Sequence, residues 1–599
     1  MDELLIRIIA TKLDWTENEV RGLIQLIRFR SVVGAQAGDE GKGKVTADLA
    51  EQCNKEQNKE LVICASGSGG ANAGHTVIDR NGKRHNTNIL PAGLLYADYI
   101  YMGADKLYNM SSFRKEIERI TTSTSEKDCL ISMKDLLSRL YIDNLGKLTF
   151  STAIVDERIN EFVKSRTRNG VVGTTGQGIS TTISQFAVKC PIEIITAFIA
   201  FKNNSLDEYF DDYYTVSRTQ SIVRQYVEMM LVSNMAPVIL NGKSLVVDKT
   251  NSNVEEQSNQ IFTLMKEIDK ENLLWFFNLF AKNICPHTTL RDILRNIVRE
   301  NKRAYFILEV VQANSLSSEN GLLNSTTSSV LNPDLLMLSS LKFCDFTSLQ
   351  LAGCDVKNIE VFKLIQSTVG NHINPSKIKN YASLLKDKFT NNNDPDGSIA
   401  RFKNKYPYLG DYARLAYDVL NDLNQKSRKE GKSEIGPEIF ITNENFDESC
   451  LLSHYYGEKG TTTGRVRELS WFDLVRIKSC TFNQTNRYCA LTRLDAYNLF
   501  KVFKVCIGYE INGEKYMYTD MKDGTKVFTS YKNFSKKELL SATPIYHEFN
   551  TWEGEFDFTQ IKSYEEFPIE ARKIIEYISK DCGEVIAINL SAEKSLLFE

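Results

Sequence analysis

The chain has no dense block of lysine or arginine, no C-x-x-C pair, no metal-ligand spacing among its histidines and no apolar run long enough to cross a bilayer. Each absence excludes a class of function. With a net charge of −3 and a pI of about 6.2, no electrostatic footprint for nucleic acid exists, so a small, partly polar ligand is expected rather than a polymer. The 12 cysteines are scattered and the six histidines form no ligand pattern. Cys285-Pro286-His287 is too little for a zinc site, and reduced thiols in a cytoplasmic setting are the simplest expectation. The most apolar later stretch, Ile192 to Phe201, is broken by Glu193 and is far shorter than the roughly 20 residues of a membrane span. Met1-Asp2-Glu3 does not begin a secretory signal, and no membrane attachment is expected.

At 599 residues and 42% hydrophobic composition, the chain can bury a large core, as one elaborated domain or several. Leu4, Leu5, Ile8, Ile9 and Leu13, then Val20, Leu23, Ile24 and Ile27, recur at helical spacing and predict one or two amphipathic helices in a 1–28 extension. Strand-like runs occur at Leu61 to Cys64, Tyr99 to Met102, Tyr305 to Leu308, Tyr488 to Leu491 and Val502 to Cys506, while helical patterns fill much of 112–142 and 206–233. The mixture predicts an α/β fold. Ile378 to Ser433, rich in Lys, Asn and Asp, reads as a surface insertion, and Ser315 to Ser329 as a polar connection.

Chemistry concentrates in two glycine-rich segments. Residues 34–44 read Gly-Ala-Gln-Ala-Gly-Asp-Glu-Gly-Lys-Gly-Lys and, from Gly38, satisfy the phosphate-loop spacing G-x-x-x-x-G-K, but Val45 stands where a serine or threonine normally holds magnesium. Such a loop can still cradle phosphate on backbone N–H groups at a helix start, and Asp39 becomes the obvious metal ligand. The second segment, Gly67-Ser68-Gly69-Gly70-Ala71-Asn72-Ala73-Gly74-His75-Thr76, follows the strand at Leu61 to Cys64. Small residues let backbone approach a ligand closely, and a lone histidine among them is expected to face chemistry rather than a core. Two glycine-rich strand exits, each with one titratable side chain, suggest an acid and a base on one ligand.

Gly38 to Lys44 followed by Asn72 to Thr76 resembles adenylosuccinate synthetase, the GTP-dependent ligase family that joins L-aspartate to IMP. Further segments fit in the family's order: Val172 to Ile179; Glu309-Val310-Val311-Gln312 with Ser325 to Ser329; Thr461 to Arg467 with Trp471-Phe472-Asp473; and Leu491 to Asp495. The resemblance implies a large mixed, mostly parallel central sheet flanked by helices, a P-loop-like ligase fold forming one catalytic domain over 29–599, with helical insertions at about 195–300 and 376–448. It also implies IMP, GTP and L-aspartate as substrates, Mg2+ as cofactor and a homodimer.

Position by position, it makes Asp39, His75 and Lys42 catalytic and gives the metal to Asp39 and the Gly74 carbonyl. GTP would be held by Gly38, Glu40, Gly41, Gly43, Lys44, Thr76, Arg467, Arg493, Asp495 and Ser591. IMP would meet Asp39, Asn72, Ala73, Thr175, Lys189, Gln312, Thr327 and Arg465. Aspartate would meet Thr461, Thr462, Thr463, Gly464, Arg465 and Arg467. Departures accompany the matches: Lys189 and Gln177 stand where the family has arginine, Ala37 where it has tryptophan, and Asn589-Leu590-Ser591 where it has Ser-Thr-Gly behind the guanine. They leave open another purine acceptor, such as a guanine or deoxy nucleotide, ATP as the phosphoryl donor, a phage- or defence-related role, or a non-catalytic nucleotide-binding regulator.

Overall fold

The computed structural model describes residues 3–55, 60–78, 83–122, 130–166, 175–317, 326–327, 329–368, 373–389, 394–429, 431–442, 445–460, 464–480, 487–517, 526–527, 534–590 and 595–598. The chain forms two compact units. The first takes in Met1–Gly34, Lys42–Glu319 and Leu323–Ile359, and the second Ala35–Gly41 and Glu360–Glu599.

The core of the first unit is a parallel sheet in the order Ile284–Cys285, Leu140–Asp143, Tyr99–Asn109, Leu61–Gly69, Ala304–Ala313 and Ile27–Gly34. Its central strands are apolar on both faces, as parallel strands covered by helices must be: Val62, Ile63, Cys64 and Ala65 are buried, as are Phe306, Ile307 and Leu308. In the second unit residues 360–363, Tyr488–Thr492, Glu584–Asn589 and Ser595–Leu597 follow in that order, Tyr488–Thr492 and Glu584–Asn589 parallel and the last pair antiparallel. The Val502–Cys506 run lies instead in a separate sheet, within Val502–Ile511.

The N-terminal segment forms two helices, Glu3–Leu13 and Glu17–Leu26. The buried face of the first is Ile6, Ile9, Ala10 and Leu13, whereas Leu4 and Ile8 of the expected stripe are exposed. Thr16 and Glu19 form a capping box at the second helix. Arg295 and Arg299 both bond the Glu19 carboxylate, and the Arg295 guanidinium holds its carboxyl down at about 2.

The expectation that Ile378 to Ser433 lies on the surface needs correction. Ile378, Tyr381, Leu385, Leu409, Leu415 and Ala416 are fully buried in the second unit's main hydrophobic cluster. The polar majority in this segment obscured a regular apolar face on the Ala413–Lys429 helix. The 195–300 segment is mostly helical, with Leu206–Val216, Thr219–Val232, Val254–Phe280 and Thr289–Arg299 its longer elements among the described residues.

One tie in this helical region has a pH-dependent consequence. The helix Ser151–Ser165 has no side-chain cap of its own. Asp269, on Val254–Phe280, supplies one: Oδ1 accepts from Ser151 N at 3.0 Å and Ser151 Oγ at 2.6 Å, and Oδ2 from Tyr214 Oη at 3.0 Å. Burial pushes the Asp269 carboxyl from 3.8 up to about 7, against the lowering effect of those bonds. The folded state therefore keeps a proton that the unfolded chain releases. This contribution is fully present below about pH 4 and is lost as pH rises through about 7, an effect on the order of 4 kcal/mol. Asp269→Asn should flatten the fall in urea midpoint between pH 5 and pH 8; an unchanged slope would refute the assignment.

Candidate functional site

In the first unit the Leu61–Gly69 strand ends on Gly69, at φ +68°, where a Cβ would lie 2.4 Å from Val311 Cγ2. A Cβ on Gly70 would meet the Leu107 carbonyl at 2.6 Å, so this exit tolerates no side chain at either position. Beyond it, Gly70 N donates to Asn72 Oδ1, Ala73 N to Gly70 O, and Asn88 Nδ2 to Ala73 O. The turn delivers His75 to the start of a hairpin, His75–Ile78 against Arg84–Thr87. Gly74 and Asn72 are partly exposed.

His75 differs from the sequence expectation. It is buried, at 6% exposure, and its Nδ1 lies 2.8 Å from Glu309 Oε1. Glu309 is itself buried, and its Oε2 accepts from Ala92 N at 2.6 Å. Burial raises the Glu309 carboxyl, but the charge and contact of His75 outweigh it and hold the group below the ordinary carboxylate range. Glu309 opens the segment Glu309-Val310-Val311-Gln312. The signal was a single acid inside the apolar run Tyr305 to Val311, where an unpaired carboxylate is costly.

The helix Lys42–Lys55 begins at the loop lysines, as the phosphate-loop reading requires. Lys42 is buried, and Gly43 packs so closely on the histidine that a Cβ would lie 2.8 Å from His75 Cβ. Lys44 is paired with Asp48 one turn along its own helix. Val45 is buried in the core, so its place is one of packing. Thr76 Oγ1 reaches Asn86 Oδ1 at 3.4 Å.

The remaining first-unit residues are more separate. Thr175 is partly exposed, and Gln177 Oε1 accepts from Asn109 Nδ2 and Ser112 Oγ, a structural use of the residue that replaces arginine. Lys189 is exposed in a left-handed conformation at φ 62°, and Gln312 has φ 64°. Thr327 N donates to Leu316 O and its hydroxyl accepts from Ser329 N, the turn-forming use of such a residue. No hydrogen bond among the described residues joins Asn72, Thr175, Gln312 and Thr327 to one another. Val172 to Thr174, Ser325, Ser328, Thr461, Thr462, Thr463 and Ser591 lie outside the described residues.

In the second unit the other half of the phosphate loop has left-handed backbone at Gly38 (φ 96°), Asp39 (φ 59°) and Gly41 (φ 97°). Glu40 is buried and holds the turn, its Oε1 accepting from Gly38 N at 2.6 Å and its carbonyl from Thr492 Oγ1 at 2.6 Å. Upstream, Gln36 exchanges bonds with the Lys363 backbone at 3.0 and 2.8 Å. The Asp39 side chain meets Arg467: Nε donates to Oδ2 at 2.6 Å. Asp39 Oδ1 has no partner among the described residues.

Arg465 is exposed, its carbonyl accepting from Gly460 N, and Gly464 turns at φ 65°. Arg493, also left-handed at φ 65°, lies over the Tyr456 ring at 5.1 Å, bonds Glu458 at 3.1 Å and stands 3.5 Å from Asp495. Glu458 bridges it to Lys363, whose Nζ is 2.5 Å from Oε2. Glu458 is a second carboxylate that the sequence did not single out; it precedes the quoted motif at Thr461. Trp471, Phe472 and Asp473 are buried, and Asp473 accepts from Ser376 and Tyr509 as part of the core.

No group of three or more His, Cys, Asp or Glu among the described residues could hold a metal ion. A single carboxylate with a free oxygen nevertheless suits Mg2+, a hard cation usually held by one or two carboxylates and substrate phosphates. No helix among the described residues is long and apolar enough to cross a membrane.

A protein-family model described as Adenylosuccinate synthetase matches residues 31–388 and 429–594. An adenylosuccinate synthetase of Borrelia recurrentis is 22% identical over 94% of this chain and 97% of its own length. One of Caldanaerobacter subterraneus is 24% identical over 94% of this chain and 98% of its own. The structure of fully ligated adenylosuccinate synthetase from Plasmodium falciparum superimposes with a TM-score of 0.58 at 19% identity, covering 96% of this chain and 100% of that one. That likeness extends to the fold.

Proposed function

We propose that this chain, which belongs to the adenylosuccinate synthetase family of C–N-bond-forming ligases, joins L-aspartate to C6 of IMP at the expense of GTP. The carbonyl oxygen at C6 of hypoxanthine is a poor leaving group, and an amine cannot displace it directly at a useful rate. Transfer of the γ-phosphoryl group of GTP to that oxygen solves the problem: the 6-phosphoryl intermediate loses phosphate when the aspartate amine attacks, giving adenylosuccinate, GDP and phosphate.

In this reading Asp39 takes the N1 proton, which makes the 6-oxygen nucleophilic, and His75 donates a hydrogen bond to the charge that develops. Lys42, with Gly38, Glu40, Gly41, Gly43, Lys44 and Thr76, faces nucleotide phosphates. Asn72, Ala73, Thr175, Gln312 and Thr327 hold IMP, with Lys189 reaching its phosphate across a homodimer interface as a point charge without arginine's fork. Thr461 to Gly464 with Arg465 and Arg467 receive the carboxylates of aspartate. Asp495, beside Arg493, accepts from the N1–H and 2-amino edge of guanine, an edge adenine does not offer. Mg2+ held by Asp39 and the Gly74 carbonyl would neutralise phosphate charge.

The observation that carries the reading is the Asp39 carboxylate, delivered by a left-handed glycine loop with one oxygen unclaimed. Purified protein with IMP, GTP, Mg2+ and aspartate should give the absorbance change of a 6-amino-substituted purine. A matrix of purine monophosphates against GTP and ATP decides among acceptors and donors, and no turnover in any cell of it would refute the ligase reading. The dimer is tested by sedimentation: a monomeric mass with full activity would contradict it.

A further inference from the structure

We propose that Arg467 is a positioning residue for Asp39 that exchanges with a divalent cation, so that a carboxylate ligand engaging Arg467 tightens cation binding at Asp39. The inference rests on the reading of Asp39 given above, as the carboxylate that serves both proton and metal.

Both ends of the pair are fixed by backbone. Asp39 sits in left-handed conformation between Gly38 and Glu40, and Glu40 is tied at its side chain and at its carbonyl. Arg467 N donates to the Glu458 carbonyl at 2.9 Å and its own carbonyl accepts from Ser453 Oγ at 2.5 Å. With the backbones held, the side chains meet at 2.6 Å with Arg467 10% and Asp39 26% exposed, shielded enough for the charges to matter to one another.

The contact divides the carboxylate. Oδ2 belongs to Arg467, and Oδ1 has no protein partner. Proton abstraction and cation binding each need an oxygen, so a carboxylate doing both must give up its arginine. The guanidinium also supplies there the positive charge that a cation would bring. Like charges held on one carboxylate compete, so cation affinity is lowest while Arg467 remains in place.

Arg467 has a use elsewhere. Its side chain makes no other hydrogen bond or ion pair among the described residues, and its two terminal nitrogens present the fork that suits a ligand carboxylate. A dicarboxylate that takes that fork and draws the guanidinium toward itself breaks the Nε–Oδ2 bond and frees that oxygen for the cation. The two ligands then bind with positive coupling, each raising the other's affinity by the same factor.

The test needs no turnover. Mn2+ binding to the full chain is followed by electron paramagnetic resonance without nucleotides, with and without succinate, an unreactive dicarboxylate. Succinate should tighten Mn2+ binding by at least about fivefold in the wild-type protein. Arg467→Met should bind Mn2+ at least as tightly as the wild-type protein with succinate, and succinate should then add nothing. Asp39→Asn should abolish the succinate-dependent gain in Mn2+ binding. Unchanged Mn2+ affinity on adding succinate to the wild type would overturn the proposal without any variant, as would a succinate effect that survives Arg467→Met. Coupled binding in a protein that turns over no purine would leave the exchange standing and remove only the ligase reading.

Discussion

Asp39→Asn should lower kcat by about 10²- to 10⁴-fold, the range expected when a positioned general base is removed. Asparagine is the informative substitution because the backbone at 39 is left-handed, at φ 59°, a region that asparagine tolerates far better than alanine. The loop should therefore keep its shape, with Glu40 still tied to Gly38 N and Thr492. An amide cannot accept the N1 proton, and it loses the charge that holds Arg467 at 2.6 Å. The pair is a single, partly buried contact with one free oxygen, so thermal unfolding should move by only a few degrees. A steady-state assay at saturating substrates, with the melting curve measured on the same preparation, checks both halves. More than a tenth of wild-type kcat would remove Asp39 from the role of base.

His75→Ala should cost about 10²- to 10³-fold in kcat, the loss typical when one donor to a developing oxyanion is removed. Glu309→Ala should act through His75. It leaves His75 Nδ1 and the Ala92 N–H without their buried partner, and each such orphan costs about 1–3 kcal/mol. The urea midpoint should therefore fall in Glu309→Ala, and it should fall in His75→Ala as well, which strands the buried Glu309 carboxylate, while both lose activity. Equal kcat in His75→Ala and the wild type would show that the histidine is a core residue satisfied by Glu309 and nothing more.

Much of the molecule was legible in residue order. The strand runs at Leu61, Tyr99, Tyr305 and Tyr488 are strands because their apolar residues are continuous, as burial on both sheet faces demands. The amphipathic N-terminal helices followed from a 3.6-residue period, although the face that is buried turned out to be Ile6, Ile9 and Leu13. In Ile378 to Ser433 composition averages over a helix: its charged face dominates the count, while Leu415 and Ala416 face a core.

The candidate site divides along the same line. Glycines at 38, 41 and 69 were readable as backbone necessities, and the structure uses each one at positive φ. The family itself was visible in motifs spread along the chain, because a family's chemistry needs particular side chains at particular backbone turns. What residue order could not determine is partnership across long sequence separation. Glu309 beneath His75, Glu458 between Lys363 and Arg493, and Arg467 on Asp39 join residues far apart in the chain. Such pairs depend on Ångström-scale placement by strands and turns, which periodicity and spacing do not encode. The sequence by itself determined which chemical groups this protein carries, and only the tertiary structure decided which of them are already engaged with one another, because in a low-dielectric interior a charge is defined by its nearest partner.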